Sequence, residues 1–237
     1  MKRFLIYIVV VIGTLFVGLS TYYFVKNNEN ISLTIVDGST ICMNPSEEIK
    51  VPVLHTKART AFPEIKSSNE EIASYNKETK MIEAHSTLAG GTASFTVTPS
   101  NKNFPPMRFT VWVGNGSAQN PYFIETASQL VSIGTSSDWS MNKSYRLEND
   151  IDMQLLGNIE SGAKYEFKPL GGAVPFSGVF DGNLKSIMNL NISADADNAG
   201  LFCAVAEKAI VENVFIKNAT INGKFKNAGA IAGISSG

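Results

Sequence analysis

The feature that most restricts the fold is a repetition near the C-terminus. Asn198-Ala199-Gly200-Leu201-Phe202-Cys203-Ala204-Val205 returns 29 residues later as Asn227-Ala228-Gly229-Ala230-Ile231-Ala232-Gly233-Ile234. Ile187-Met188-Asn189-Leu190-Asn191-Ile192 returns 24 residues on as Val211-Glu212-Asn213-Val214-Phe215-Ile216. Two elements recurring in one order at such spacings indicate a stacked repeat, because a single repeat cannot bury its apolar face alone. Each element is too short for a helix and too rich in Ile, Val and Phe for a loop, so stacked β-coils are expected. Asn189 and Asn213 occupy equivalent positions of that alignment. They either hydrogen-bond from coil to coil or mark turns.

The N-terminus is the second restriction. Met1-Lys2-Arg3 precedes a charge-free apolar run from Phe4 to Val25. A helix of about 22 residues reaches ~33 Å, enough to cross a bilayer. Residues 1–27 therefore read as a signal-anchor segment, with the membrane crossed by residues 4–25. Tyr22 and Tyr23 stand where an interfacial aromatic belt would, and Lys2, Arg3 and the terminal amine outweigh Lys26, which keeps the N-terminus inside. The alternative is a cleaved signal peptide and a secreted protein, with Gly18-Leu19-Ser20 as the cleavage site.

Lys and Arg number 20 against 21 Asp and Glu, a net charge of −1, so no electrostatic footprint for nucleic acid exists. Two Cys and two His exclude a disulfide-rich scaffold, a Cys-based zinc site and a three-His metal site. Cys42 and Cys203 read as small apolar residues.

Residues 28–116 carry the marks of short strands. Ile31-Ser32-Leu33-Thr34-Ile35 alternates apolar and polar, as do the stretches around Ile49, Val51 and Val53, Phe95 and Val97, and Phe109, Val111 and Val113. Asp37-Gly38, Asn44-Pro45 and Ser67-Ser68-Asn69 supply turn chemistry between them. Several short strands in such a span suggest a β-sandwich. Ser67-Ser68-Asn69-Glu70-Glu71-Ile72-Ala73-Ser74, followed by Leu88-Ala89-Gly90-Gly91-Thr92-Ala93-Ser94-Phe95-Thr96-Val97, resembles the group 2 bacterial immunoglobulin-like domain. The tryptophan that family carries before the Ser-Ser-Asn element is absent, Ile65 preceding Lys66 instead, so a core of aliphatic residues alone is expected. The resemblance implies an extracellular spacer or adhesion module.

Gly114 to Pro121 is small, polar and without apolar periodicity, which marks a flexible boundary. Residues 117–237 follow. Asn120-Pro121-Tyr122-Phe123-Ile124, Thr126-Ala127-Ser128-Gln129-Leu130, Tyr145 to Met153, Pro169-Leu170-Gly171, Pro175-Phe176-Ser177-Gly178-Val179-Phe180-Asp181-Gly182-Asn183 and Asn198-Ala199-Gly200-Leu201-Phe202 stand in the order of a GLUG-repeat region, which this stretch resembles. Leu184 and Cys203 replace glycines of that pattern, Cys203 at a tight, inward position. The resemblance implies a right-handed parallel β-helix, as in adhesins and the non-catalytic part of immunoglobulin A proteases. The expected fold class is thus all-β: an N-terminal transmembrane helix, an immunoglobulin-like β-sandwich and a right-handed parallel β-helix (solenoid).

No catalytic, cofactor-binding or metal-binding residues are assigned. Asp150 and Asp152 share a strand face and could serve acid/base or metal chemistry, but read as structure. Asp195-Ala196-Asp197-Asn198 offers too few oxygens for calcium and reads as a turn. His55 and His85 stand beside no nucleophile or His-Glu-x-x-His motif. Lys208, Lys217, Lys224 and Lys226 are scattered, with Lys224-Phe225-Lys226 an exposed strand edge. The expectation is a non-catalytic cell-surface adhesion or spacer protein whose partner is an unknown extracellular ligand, a host protein or a glycan. The alternative is the non-catalytic front of a larger surface enzyme, an immunoglobulin A protease-like metalloprotease or a carbohydrate-active enzyme. No capping element follows Ile234, so a longer repeat protein is expected.

Overall fold

The computed structural model describes residues 23–27, 30–34, 38–51, 63–98, 105–157, 163–193 and 196–236. The chain divides into two compact units, residues 1–115 and 116–237.

Period-two alternation sets the strands of the first unit. Their order is β1 (Tyr23–Asn27), β2 (Asn30–Thr34), β3 (Ser39–Met43), β4 (Glu48–Lys50), β5 (Glu64–Ser67), β6 (Ala73–Asn76), β7 (Met81–Ala84), β8 (Gly91–Thr98) and β9 (Met107–Val113). One sheet runs β3-β9-β8-β5, with β3 parallel to β9 and the other pairs antiparallel. The other is antiparallel β4-β7-β6. Along β8, Ala93, Phe95 and Val97 are buried while Thr92, Ser94 and Thr98 are exposed. Phe109, Val111 and Val113 of β9 join them, and Ala73, Ile82 and Ala84 come from the smaller sheet, making one core. Phe95 and Phe109 face each other across β8 and β9 and stack at 5.1 Å. The core is therefore not aliphatic alone, since a stacked phenyl pair lies within it.

The expected fold class needs correction on two counts. The first is the transmembrane helix over residues 4–25. Tyr23, Phe24 and Val25 lie in β1, which pairs antiparallel with β2, Tyr23 opposite Thr34 and Asn27 opposite Asn30. Aromatic and β-branched residues favour this extended state. Lys26 and Asn27, the end of the expected signal-anchor segment, belong to the same strand. Among the described residues no helix is long and apolar enough to cross a membrane. Residues 1–22 lie outside the described residues, and the single-pass anchor has no support in β1.

The second count is the right-handed parallel β-helix. The second unit contains β10 (Tyr122–Ile124), a helix α1 (Ala127–Ser132), β11 (Tyr145–Leu147), β12 (Ile151–Asp152), a 3₁₀ turn (Met153–Leu156), β13 (Val179–Asp181), β14 (Ser186–Met188), β15 (Asn191–Ile192), β16 (Ala196–Ala199), β17 (Phe202–Val205), β18 (Ile210–Glu212), β19 (Phe215–Lys217), β20 (Thr220–Ile221), β21 (Phe225–Ala228) and β22 (Ala232–Ser235). They form small parallel sheets of two to four strands: β10-β11-β13-β18, β12-β14-β19, β15-β20, β16-β21 and β17-β22. No continuous solenoid wall results. Successive passes differ in length, as Tyr122 pairs with Tyr145, Tyr145 with Phe180, and Phe180 with Val211. Left-handed backbone at Asn183, Leu184, Asn189, Asn213 and Asn218 breaks the sheets at the corners.

The core of this unit is aromatic. Tyr145, Phe167, Phe176, Phe180 and Phe202 are fully buried. Phe176 stacks on Phe202 at 4.6 Å, and Phe180 meets Phe202 edge-on at 5.4 Å. Glycine is required where passes touch: a Cβ on Gly178 would overlap the Lys143 carbonyl, and one on Gly182 the Val214 backbone. At the start of the second unit Gly116 is buried, donates to the Asn120 carbonyl at 3.0 Å and accepts from the Ser144 amide at 2.8 Å.

Candidate functional site

The residues singled out for chemistry are joined in the bonds that tie one pass to another. Asp150 Oδ1 accepts from the Ser186 amide at 2.7 Å. Asp152 Oδ1 accepts from the Gln154 amide at 2.9 Å, capping the 3₁₀ turn, and from Asn189 Nδ2 at 2.7 Å. Asp181 Oδ1 accepts from the Asn183 amide at 2.8 Å and from Asn213 Nδ2 at 3.0 Å. Asn227 Nδ2 donates to Asn198 Oδ1 at 2.8 Å, on strands where Asn198 faces Asn227 in register. Asn189 and Asn213 do bond between passes, but to Asp152 and Asp181 rather than along one shared column.

The remaining candidates are dispersed. Asp197 pairs with Lys226 at 2.9 Å on an exposed surface, and Asp195 lies outside the described residues, as does His55. His85 Nε2 lies 2.8 Å from Ser74 Oγ. Cys42 and Cys203 are not bridged and are both half-buried. Cys203 is thus not enclosed as expected, its Sγ lying 4.0 Å from Asn198 Nδ2. Among the described residues no group of three or more His, Cys, Asp or Glu is placed to hold a metal.

A groove of about 770 Å³ in the second unit is lined by none of the residues singled out for chemistry from the sequence. One wall begins at α1. Thr126 Oγ1 accepts from the Gln129 amide at 3.2 Å, and Gln129 Oε1 accepts from the Thr126 amide at 3.0 Å, a reciprocal cap that starts the helix. The helix leads into Val131, Ile133 and a loop of hydroxyl residues. That loop is held by Thr135 Oγ1 donating to the Ser132 carbonyl at 2.7 Å and by Ser140 Oγ donating to Asn142 Oδ1 at 2.6 Å. Trp139 stacks on Tyr122 at 5.4 Å, and the Tyr145 hydroxyl donates to the Ser140 carbonyl at 2.9 Å. Burial pushes the Tyr145 hydroxyl pKa up, with a smaller push from Tyr122. Burial, then the Asp138 charge, raises that of Tyr122.

The facing wall runs from Lys168 to Val174. Leu170 donates to the Leu201 carbonyl at 2.9 Å, and Ser177 donates to the Met141 carbonyl at 2.8 Å. Gly171 turns at φ 79, where a Cβ would sit 2.6 Å from Met141 Cε. Ile133, Met141 and Leu170 give an apolar floor; Lys168 is the charged side chain on the rim. A second, smaller cleft of about 60 Å³ is lined by Gln154, Lys164, Asn189, Asn218 and Thr220. Tyr165 lines both. Its segment is fixed by Phe167, fully buried, whose amide donates to the Asn191 carbonyl at 2.7 Å.

The chain is 36% identical over 124 residues to halomucin of Haloquadratum walsbyi (strain DSM 16790 / HBSQ001), an alignment covering 52% of this chain and 1% of that protein. No protein-family model matches the chain. No solved structure matches it.

Proposed function

We propose that this is a non-catalytic surface protein whose second unit is a rigid binding scaffold outside the cell. One observation carries the reading. The carboxylates and amides that could do chemistry, Asp150, Asp152, Asp181, Asn189 and Asn213, are tied into bonds between passes. Groups so engaged hold a shape and leave its surface to meet a partner. The likeness to a stretch of halomucin is compatible with a surface or extracellular place. The resemblances to the group 2 immunoglobulin-like domain and to GLUG repeats support the same reading, with the first unit as a spacer.

Protease treatment of intact cells tests it. Epitopes within residues 163–236 are expected to disappear before lysis. Their full survival until the cells are broken overturns the proposal.

A further inference from the structure

We propose that Tyr165, with Lys164 and Lys168 on either side, is the platform of a binding strip for an acidic saccharide chain. The inference rests on the reading of the second unit as an extracellular binding scaffold and names the class of its partner.

The strip joins two cavities of different character. On one side lies the large groove, with its apolar floor, the hydroxyls of Thr135, Ser136 and Ser140, and the Lys168 ammonium. On the other lies the small cleft, with the amides of Gln154 and Asn218, the Thr220 hydroxyl and the Lys164 ammonium. Tyr165 is half-buried and contributes to both. A pyranose ring has an apolar C–H face and a polar edge. The first matches an aromatic ring, and the second matches amides and hydroxyls that can both donate and accept. The groove volume is within the range of small-ligand sites. Both charged side chains lining these cavities are lysines, so a negative charge on the ligand is favoured on both sides of the ring. Glu166 stands between the lysines in sequence, is exposed, and lines neither cavity. A chain of uronic acid units has these three properties together: ring faces, hydroxyl edges and regularly spaced carboxylates.

The test is titration calorimetry of the full chain with a galacturonate hexasaccharide, the neutral maltohexaose and a hexaglutamate peptide. Saturable binding of the galacturonate, with the other two at least about tenfold weaker, is expected. Tyr165→Ala is expected to weaken binding about tenfold, the order for one lost aromatic platform. Tyr165→Phe keeps the ring and should bind within about twofold of the natural chain, which separates loss of stacking from loss of fold. A Lys164→Gln, Lys168→Gln double variant should lose most of the salt dependence. Equal binding of hexaglutamate means an acidic-peptide site, and equal binding of maltohexaose means a neutral-sugar site; either overturns the proposal. So does the absence of galacturonate binding, or an unchanged affinity in Tyr165→Ala. A chain that is shaved from intact cells yet ignores galacturonate removes this inference and leaves the surface reading standing.

Discussion

Asn189 sits at φ 58 and donates to Asp152 at 2.7 Å, so one residue supplies both a left-handed corner and a bond to another pass. Replacing it with Ala removes the bond and puts a Cβ without polar compensation into that backbone region. Asn189→Ala is expected to destabilise the second unit by about 2 kcal/mol. Asn189→Gly should cost about half as much, since glycine adopts the corner freely. Urea unfolding of the two variants checks the difference. The importance of this asparagine is legible in the sequence, but its alignment is not. β14 and β19 put Ile187 beside Ile216, so the corner that corresponds to Asn189 is Asn218, not Asn213. The pattern Ile187-x-Asn189-x-x-Ile192 and Ile216-x-Asn218-x-x-Ile221, at the same 29-residue spacing as the Asn-Ala-Gly pair, carried that signal. Val211-Glu212-Asn213 obscured it, because hydrophobic residues before an asparagine occur at two kinds of corner. The turn residues of the first unit were plainer. Ser67 Oγ accepts from the Asn69 amide at 3.2 Å, and Asn69 Oδ1 accepts from the Glu71 amide at 3.1 Å, as short polar side chains in turns do. Tyr145 bears on pH. Its pKa is higher in the folded chain than in the unfolded one, so the unfolded state loses its proton first. The stability is complete below pH ~10 and falls as pH rises above it, by up to about 1.4 kcal/mol per pH unit for this group. Alkaline denaturation followed by circular dichroism should show the fall, and Tyr145→Phe should shallow it at the expense of the bond to Ser140.

Strands and loops differ in how far sequence determines them. β8 and β9 alternate with period two over their whole length, and each buried position could be named from the pattern. Phe176-Ser177-Gly178-Val179-Phe180-Asp181-Gly182-Asn183 is similarly informative, since both phenylalanines are buried and both glycines lie against the backbone of another segment. The groove was not legible. Its walls are irregular, and their paths depend on contacts far apart in the chain, such as Gly171 against Met141 and Ser177 bonded to Met141. No local periodicity records such contacts. The glycines give a paired prediction. Gly178→Ala drives a methyl group into the Lys143 carbonyl, which the surrounding strands hold in place, and should prevent the second unit from folding. Gly172 has open space where its Cβ would be, so Gly172→Ala is expected to change stability by no more than about 0.5 kcal/mol. Melting curves of the two variants, expressed side by side, decide the matter.

At the scale of the whole molecule, each unit has its own core. Phe95 and Phe109 centre the first, and Phe176, Phe180 and Phe202 the second. Phe95→Ala and Phe202→Ala should each cost about 3–5 kcal/mol in the unit concerned. Calorimetry should show each variant lowering a different transition; one shared transition moved equally by both would contradict separate cores. The parallel pairing within the second unit also governs its response to tension. Strands β19 to β22 each lie at an outer margin of their sheets, alongside partners one pass earlier. A pull on the last pass opens those pairs in sequence, like a zip, instead of shearing them all at once. Releasing the pass that matches Asn198 to Asn227 would free about 100 Å of extended chain. Held between a bead and a surface, the unit should therefore lengthen first in one low-force step of about that size, with its inner strands still paired and able to take the chain back when the load falls.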